Sequence, residues 1–160
     1  MMSAMGLTEP SPLAPGRFED FYRAQYPPML RLAYLLTGSR TAAEDLVQDS
    51  FVRVQPRFTS LDAPGAYLRR TVTNACYSWH RRRRREQAYQ AGPAEDAAPE
   101  HDELWDALAK LAPRRRAALV LRYYLDLSEA EIAAALGCRR GTVKSLTHRG
   151  LADLKDVLER

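Results

Sequence analysis

Cysteine is nearly missing from this chain: two in 160 residues, Cys76 and Cys138. That excludes a disulfide framework and a CxxC metal pair, and it fits a reducing cytoplasm. Long apolar runs are missing too. Uncharged ones such as Met29-Leu30 and residues 32–36, split by Arg31, are well short of the ~18 residues of a membrane span. Residues 1–16 have neither a basic start nor an apolar core segment, so no secretory signal is expected. No GxxxxGK[ST], GxSxG or HExxH string occurs, and no acid–base pair stands out, so an enzyme is not expected. Cys76 and His80, four apart, could touch on a helix, but two ligands make no zinc site, and Cys76 on an apolar stripe reads as core. Neither a metal nor a cofactor is expected. Alternation at period two is also absent, so nothing reads as strand.

What remains is helical and basic. Hydrophobic residues are 46% and charged residues 28%, as in an ordinary globular chain. Only Lys110, Lys144 and Lys155 among the 24 basic residues are lysines. An arginine excess reflects either codon usage or a surface for phosphates, and position must decide between them. Residues 1–16, with Pro10, Pro12 and Pro15, read as a flexible tail. Residues 17–89 hold 13 basic against 7 acidic residues, and residues 104–160 hold 11 against 7. Between them residues 90–103 carry five acidic residues and the breakers Gly92, Pro93 and Pro99. The fold class expected is therefore all-α: two small basic helical domains joined by a flexible acidic linker.

Within the first unit a helix is expected over about 17–36, kinked or interrupted by Pro27-Pro28 and ended by Gly38. A second starts near Thr41, with Glu44 placed as in a capping box, and stops at Pro56. A loop over residues 57–63 follows, and Pro64 opens a third helix. In the second unit Pro113 opens a helix, Ser128 and Glu131 form a capping box, Gly137 ends that helix, and a last one runs from about 139–140 to 158.

The most specific pattern lies in residues 129–148. A short helix, a turn at Gly137 and a second amphipathic helix follow the helix-turn-helix plan. Ala133 is small where the helices would cross, and Ile132, Leu136, Val143 and Leu146 are their mutual contacts. Arg139, Arg140, Thr142, Lys144, Ser145, His148 and Arg149 are left facing outward, types that contact phosphates and base edges. The arginines at 81–85 end a helix that also holds Tyr67, Arg70, Thr71, Asn74, Tyr77 and Trp79. Such a surface can stack and bond unpaired bases, although Tyr67 and Trp79 could equally be core. Residues 43–54 form an acidic amphipathic helix in which Glu44, Asp45, Gln48 and Asp49 share a polar sector. It reads equally as a solvated face or as a docking surface for a basic partner.

Together these segments resemble the extracytoplasmic-function (group 4) sigma factors of the sigma-70 superfamily, over residues 17–158. The strongest match is Leu127-Ser128-Glu129-Ala130-Glu131-Ile132-Ala133-Ala134-Ala135-Leu136-Gly137-Cys138 with Gly141-Thr142-Val143-Lys144-Ser145. It is similar to the family's region 4 helix-turn-helix, which reads the −35 promoter element. Leu111-Ala112-Pro113-Arg114-Arg115-Arg116 and Leu121-Arg122-Tyr123-Tyr124 resemble the opening of that region. Many members have Arg-Leu where Leu146-Thr147 stands here, so base contacts at those two positions are left open.

The resemblance implies that residues 43–54 dock on the β′ clamp helices of core RNA polymerase through Glu44, Asp45, Gln48, Asp49 and Phe51. It implies that residues 57–63 form a pocket for a flipped −10 base. The −10 set is then Arg57, Phe58, Ser60, Asp62, Tyr67, Arg70, Thr71, Asn74, Trp79, Arg81 and Arg82. Partners implied are core polymerase, including its β flap, promoter DNA and an anti-sigma factor, with no membrane. The expected function is a dissociable initiation subunit whose two tethered DNA contacts add through effective concentration. The alternative is a stand-alone helix-turn-helix regulator. It predicts a dimer on a palindromic site and leaves the acidic helix and the arginine run unexplained.

Overall fold

The computed structural model describes residues 15–89 and 103–160; the predicted tail and acidic linker lie almost wholly outside the described residues. Those residues form seven α-helices and no strand. The first unit contains α1 (Pro15–Thr37), α2 (Arg40–Val54) with a 3₁₀ turn (Gln55–Ser60), and α3 (Pro64–Tyr89). The second contains α4 (Glu103–Ala109), α5 (Pro113–Leu119) with a π turn (Val120–Tyr124), α6 (Glu129–Leu136) and α7 (Arg140–Leu158).

Three details differ from expectation. Helix α1 runs through Pro27 and Pro28 without interruption. The carbonyls that lose a donor belong to Arg23 and Ala24, both exposed, so water can satisfy them, while buried Met29, Leu32, Ala33 and Leu36 hold the next turns to the core. Helix α2 is capped two residues earlier than read, at Ser39. The Ser39 hydroxyl accepts from the Ala42 amide at 3.1 Å, and Glu44 instead pairs with Arg40 at 3.2 Å. Much of the predicted 57–63 loop is wound into the 3₁₀ turn, which continues α2 past Pro56.

Met29, Leu32 and Leu36 of α1, Leu46, Val47, Phe51 and Val54 of α2, and Leu68, Val72 and Cys76 of α3 make the first core. Each such side chain contributes about 1.5–3 kcal/mol on burial. Burial pushes the Cys76 thiol up to about 12, as for an inert core cysteine. The buried residues do not stop at the unit boundary. Leu108, Val120, Leu121, Ile132 and Val143 of the second unit belong to the same continuous cluster. Helix α6 packs on α3, and α5 with the π turn packs on α1.

Candidate nucleic-acid interface

The helix-turn-helix has the local chemistry the sequence requires. The Ser128 hydroxyl accepts from the Glu131 amide at 3.2 Å, and the Glu131 carboxylate accepts from the Ser128 amide at 2.7 Å. These Ser128 bonds hold the Glu131 carboxyl below its usual range. Gly137 ends α6 in the left-handed conformation (φ 63°), which glycine adopts without a Cβ penalty. The Cys138 amide then bonds back to the Ala133 carbonyl at 3.0 Å. Buried Ile132, Ala133 and Val143 lock α6 against α7. Gly150 is the second close approach. A Cβ there would lie 3.1 Å from Leu119 Cγ and 3.3 Å from the Arg115 carbonyl, so its bareness lets α5 and α7 meet.

This arrangement leaves Arg139, Arg140, Lys144, Ser145, His148 and Arg149 exposed and Thr142 half-buried. All seven lie at the start of α7 or within its first three turns. Leu146 and Thr147 are both half-buried. The exposed side chains at the start of α7 are of types that donate to phosphates and guanine edges.

On the first unit Arg57, Ser60, Asp62, Arg70, Asn74, Arg81 and Arg82 are exposed. The Ser60 hydroxyl donates to the Arg57 carbonyl at 2.8 Å, and Arg57 reaches the Tyr67 hydroxyl at 3.5 Å, so the turn and α3 form one surface. Thr71 returns its hydroxyl to the Tyr67 carbonyl. Phe58 is not a free ring. It packs on Phe18 and Phe21 at centroid distances of 5.3 and 4.9 Å, pinning the turn to α1. Trp79 is half-buried with the Arg83 guanidinium 5.0 Å over its ring. In the structure α6 rests on this same helix face: Tyr67 and Arg70 share a cavity of about 320 Å³ with Leu127 and Glu131.

The acidic face of α2 is the third surface. Asp45 and Asp49 are exposed, as is Gln48, which donates to the Tyr22 hydroxyl at 3.0 Å. Phe51 is buried, 3% exposed, beneath Phe18, Phe21, Tyr22 and Tyr26. It therefore supports this face from inside and is not presented on it, which corrects the contact role that the resemblance implied for it.

Residues 21–86 match the family "Sigma-70 region 2", and residues 101–154 match "Sigma-70, region 4". The chain is 36% identical over 151 residues to the RNA polymerase sigma-E factor of Streptomyces coelicolor, spanning 88% of this chain and 85% of that protein. The chain belongs to the sigma-70 family. It falls in the extracytoplasmic-function group: it is 32% identical over 153 residues to the ECF RNA polymerase sigma factor SigM of Mycobacterium tuberculosis, covering 88% of this chain and 76% of that one. Among solved structures, the sigma factor RpoE of Bartonella quintana, in complex with the anti-sigma factor NepR, superposes with a TM-score of 0.73 at 27% identity. That match covers 89% of this chain and 96% of the other. This sigma factor thus serves promoter-specific initiation of transcription together with core RNA polymerase, in a family that is not one of enzymes. Among the described residues no helix is long and apolar enough to cross a membrane.

Sequence reasoning missed one residue that organises the molecule. Arg116 is 5% exposed and donates to the carbonyls of Leu108, Leu111 and Leu36 at 3.0, 3.2 and 3.0 Å. Burial lowers its pKa to about 10. It stands in a triplet with Arg114 and Arg115, and nothing in the string separates the buried arginine from its neighbours.

Proposed function

We propose that the three surfaces divide the work of initiation in the cytoplasm. Asp45, Asp49, Glu44 and Gln48 on α2 dock the protein on the β′ clamp helices. Arg57, Ser60, Asp62, Tyr67, Arg70, Thr71, Asn74, Trp79, Arg81 and Arg82 capture and melt the −10 element. Arg139, Arg140, Thr142, Lys144, Ser145, His148 and Arg149 read the −35 element. The units then correspond to residues 17–89 and 104–160, tethered by residues 90–103. The protein itself catalyses no reaction.

The observation that carries this reading is the outward basic register of α7 on a chain whose α2 presents a separate acidic face. A stand-alone DNA binder needs the first and has no use for the second. The half-open apolar groove of Leu104, Leu108, Tyr123, Tyr124, Leu151 and Leu154 suits the β flap. The resemblance to RpoE bound to NepR supports an anti-sigma factor as a further partner.

In this account the closed arrangement is the resting form. Helix α6 covers the α3 face that must meet the −10 element, so the units separate when polymerase and promoter bind. Free protein then binds duplex DNA weakly, and the holoenzyme binds it well. The test is Asp49→Arg, a reversal of an exposed charge that leaves the core untouched. The variant should keep its circular dichroism and lose co-elution with core polymerase. Unchanged affinity for core would refute the docking face.

A further inference from the structure

Three arginines meet at the junction of the two units. Arg81 and Arg84 come from α3, and Arg114 comes from the first turn of α5. Arg81 and Arg114 each stand 5.9 Å from the centroid of the Tyr77 ring. None of the three makes an ion pair among the described residues. The Nε of Arg114 is buried and has no hydrogen-bond partner among the described residues. With Tyr77 and His80 they line a cavity of about 210 Å³.

Arg84 also lines an adjoining cavity of about 410 Å³, walled by Trp79, Trp105, Arg83 and Arg116. Among the described residues no aspartate or glutamate lines either cavity. The His80 pKa is lowered, first by burial and further by Arg116, Arg84 and Arg83. The local field is therefore positive. Guanidinium groups that line one cavity repel one another, and an anion held among them relieves that repulsion.

The two cavities differ in character. The smaller is the arginine-rich one, of a size for phosphate groups. The larger holds both of the chain's tryptophans, and its volume lies in the range of small-ligand sites. We infer that the junction binds a nucleoside triphosphate, its phosphates among Arg81, Arg84 and Arg114 and its base beside Trp79 and Trp105. Arginine forks match phosphate oxygens in geometry and charge, and the indoles of Trp79 and Trp105, each with a guanidinium 5.0 Å from its ring centroid, wall the space beside the phosphates where an aromatic base would lie. The cavity walls come from both units, so the site exists only while they touch. A bound nucleotide therefore stabilises the closed form by mass action.

The experiment is a titration of the full-length protein with ATP, read by intrinsic tryptophan fluorescence, since both emitters stand in the site. Parallel titrations use inorganic tripolyphosphate and a short single-stranded DNA. A saturable change is expected with half-saturation below about 1 mM. Arg84→Ser and Arg114→Ser should each weaken it by about tenfold, whereas Lys155→Ser, remote from the cavity, should leave it unchanged. Tripolyphosphate should bind at least about fivefold more weakly for want of a base. The proposal is overturned if ATP gives no saturation up to about 5 mM. It is overturned equally if both arginine variants bind as the parent does, or if tripolyphosphate binds as tightly as ATP. Binding of the DNA strand through Arg84 and Arg114 with none of ATP would assign these arginines to a nucleic-acid path and also overturn it.

Discussion

The guanidinium of Arg116 on α5 donates to the carbonyl of Leu36 on α1, 3.0 Å away and 80 residues distant in sequence. Leu36 closes the last buried turn of α1, where a carbonyl has no helical donor, and His80 of α3 contacts the same oxygen. One carbonyl is thus where α1, α3 and α5 are joined.

Arg116→Met keeps most of the side-chain volume and removes all three donors. It should destabilise the protein by about 2–4 kcal/mol, since buried carbonyls are left without partners. Arg116→Lys should not recover this, because an ammonium cannot reproduce the planar fork. Urea unfolding of the three proteins measures the difference; a loss within experimental error would remove Arg116 from the account.

Gly38 and Trp105 form a second junction contact. Gly38 has φ 72°, and the Trp105 indole occupies the place its Cβ would take. Gly38→Ala carries a left-handed penalty of about 1 kcal/mol and a clash besides. In a double-mutant cycle Trp105→Ala should relieve the clash and leave the backbone part. The two substitutions should therefore be non-additive by about 1 kcal/mol or more; simple additivity would contradict the contact.

Two glycines of α7 should respond in opposite directions. A Cβ on Gly141 meets nothing within 4 Å, so Gly141→Ala should stabilise by about 0.5–1 kcal/mol through helix propensity. Gly150→Ala pushes against Leu119 and the Arg115 carbonyl, and should destabilise by about 1–3 kcal/mol. Melting temperatures that move the same way would contradict the α5–α7 packing.

His80 should make stability depend on pH. It faces the Leu36 carbonyl of α1, Arg116 of α5, and Arg83 and Arg84 of its own helix. Burial chiefly, with these cations, lowers its folded-state pKa. A lowered histidine pKa means the unfolded chain takes up the proton first. The stabilisation from neutral His80 is therefore complete above the unfolded pKa of about 6.5 and is lost as pH falls below it. Unfolding between about pH 7.5 and 5.5 should show this decline, and His80→Gln should flatten it.

Much of the second unit was legible in the string because its signals are local. Ser128 with Glu131, Gly137 and Pro113 each fix a helix end by their own chemistry, and each stands where expected. The outward set on α7 follows from the buried positions Val143 and Gly150. Signals that needed tertiary context were missed. Pro27 and Pro28 are tolerated because the carbonyls they orphan face water. Ser39 rather than Thr41 caps α2, since both are capping types and only the chain path chooses. Phe51 has the spacing of the apolar face of α2 and is buried there under the aromatic rings of α1; only the family resemblance put it among the docking contacts. The closure of the two units depends on Arg116, Trp105 and His80 meeting across long separations, which no periodicity encodes.

This chain directs core polymerase to promoters. Run-off transcription from a genomic fragment library, with bacterial core polymerase and with or without this protein, is the decisive measurement of that activity. Discrete transcripts that require both components are expected, their start sites sharing a −10 and a −35 sequence, with a yield that falls steeply with salt. No new transcript, together with no co-elution with core polymerase, would contradict it.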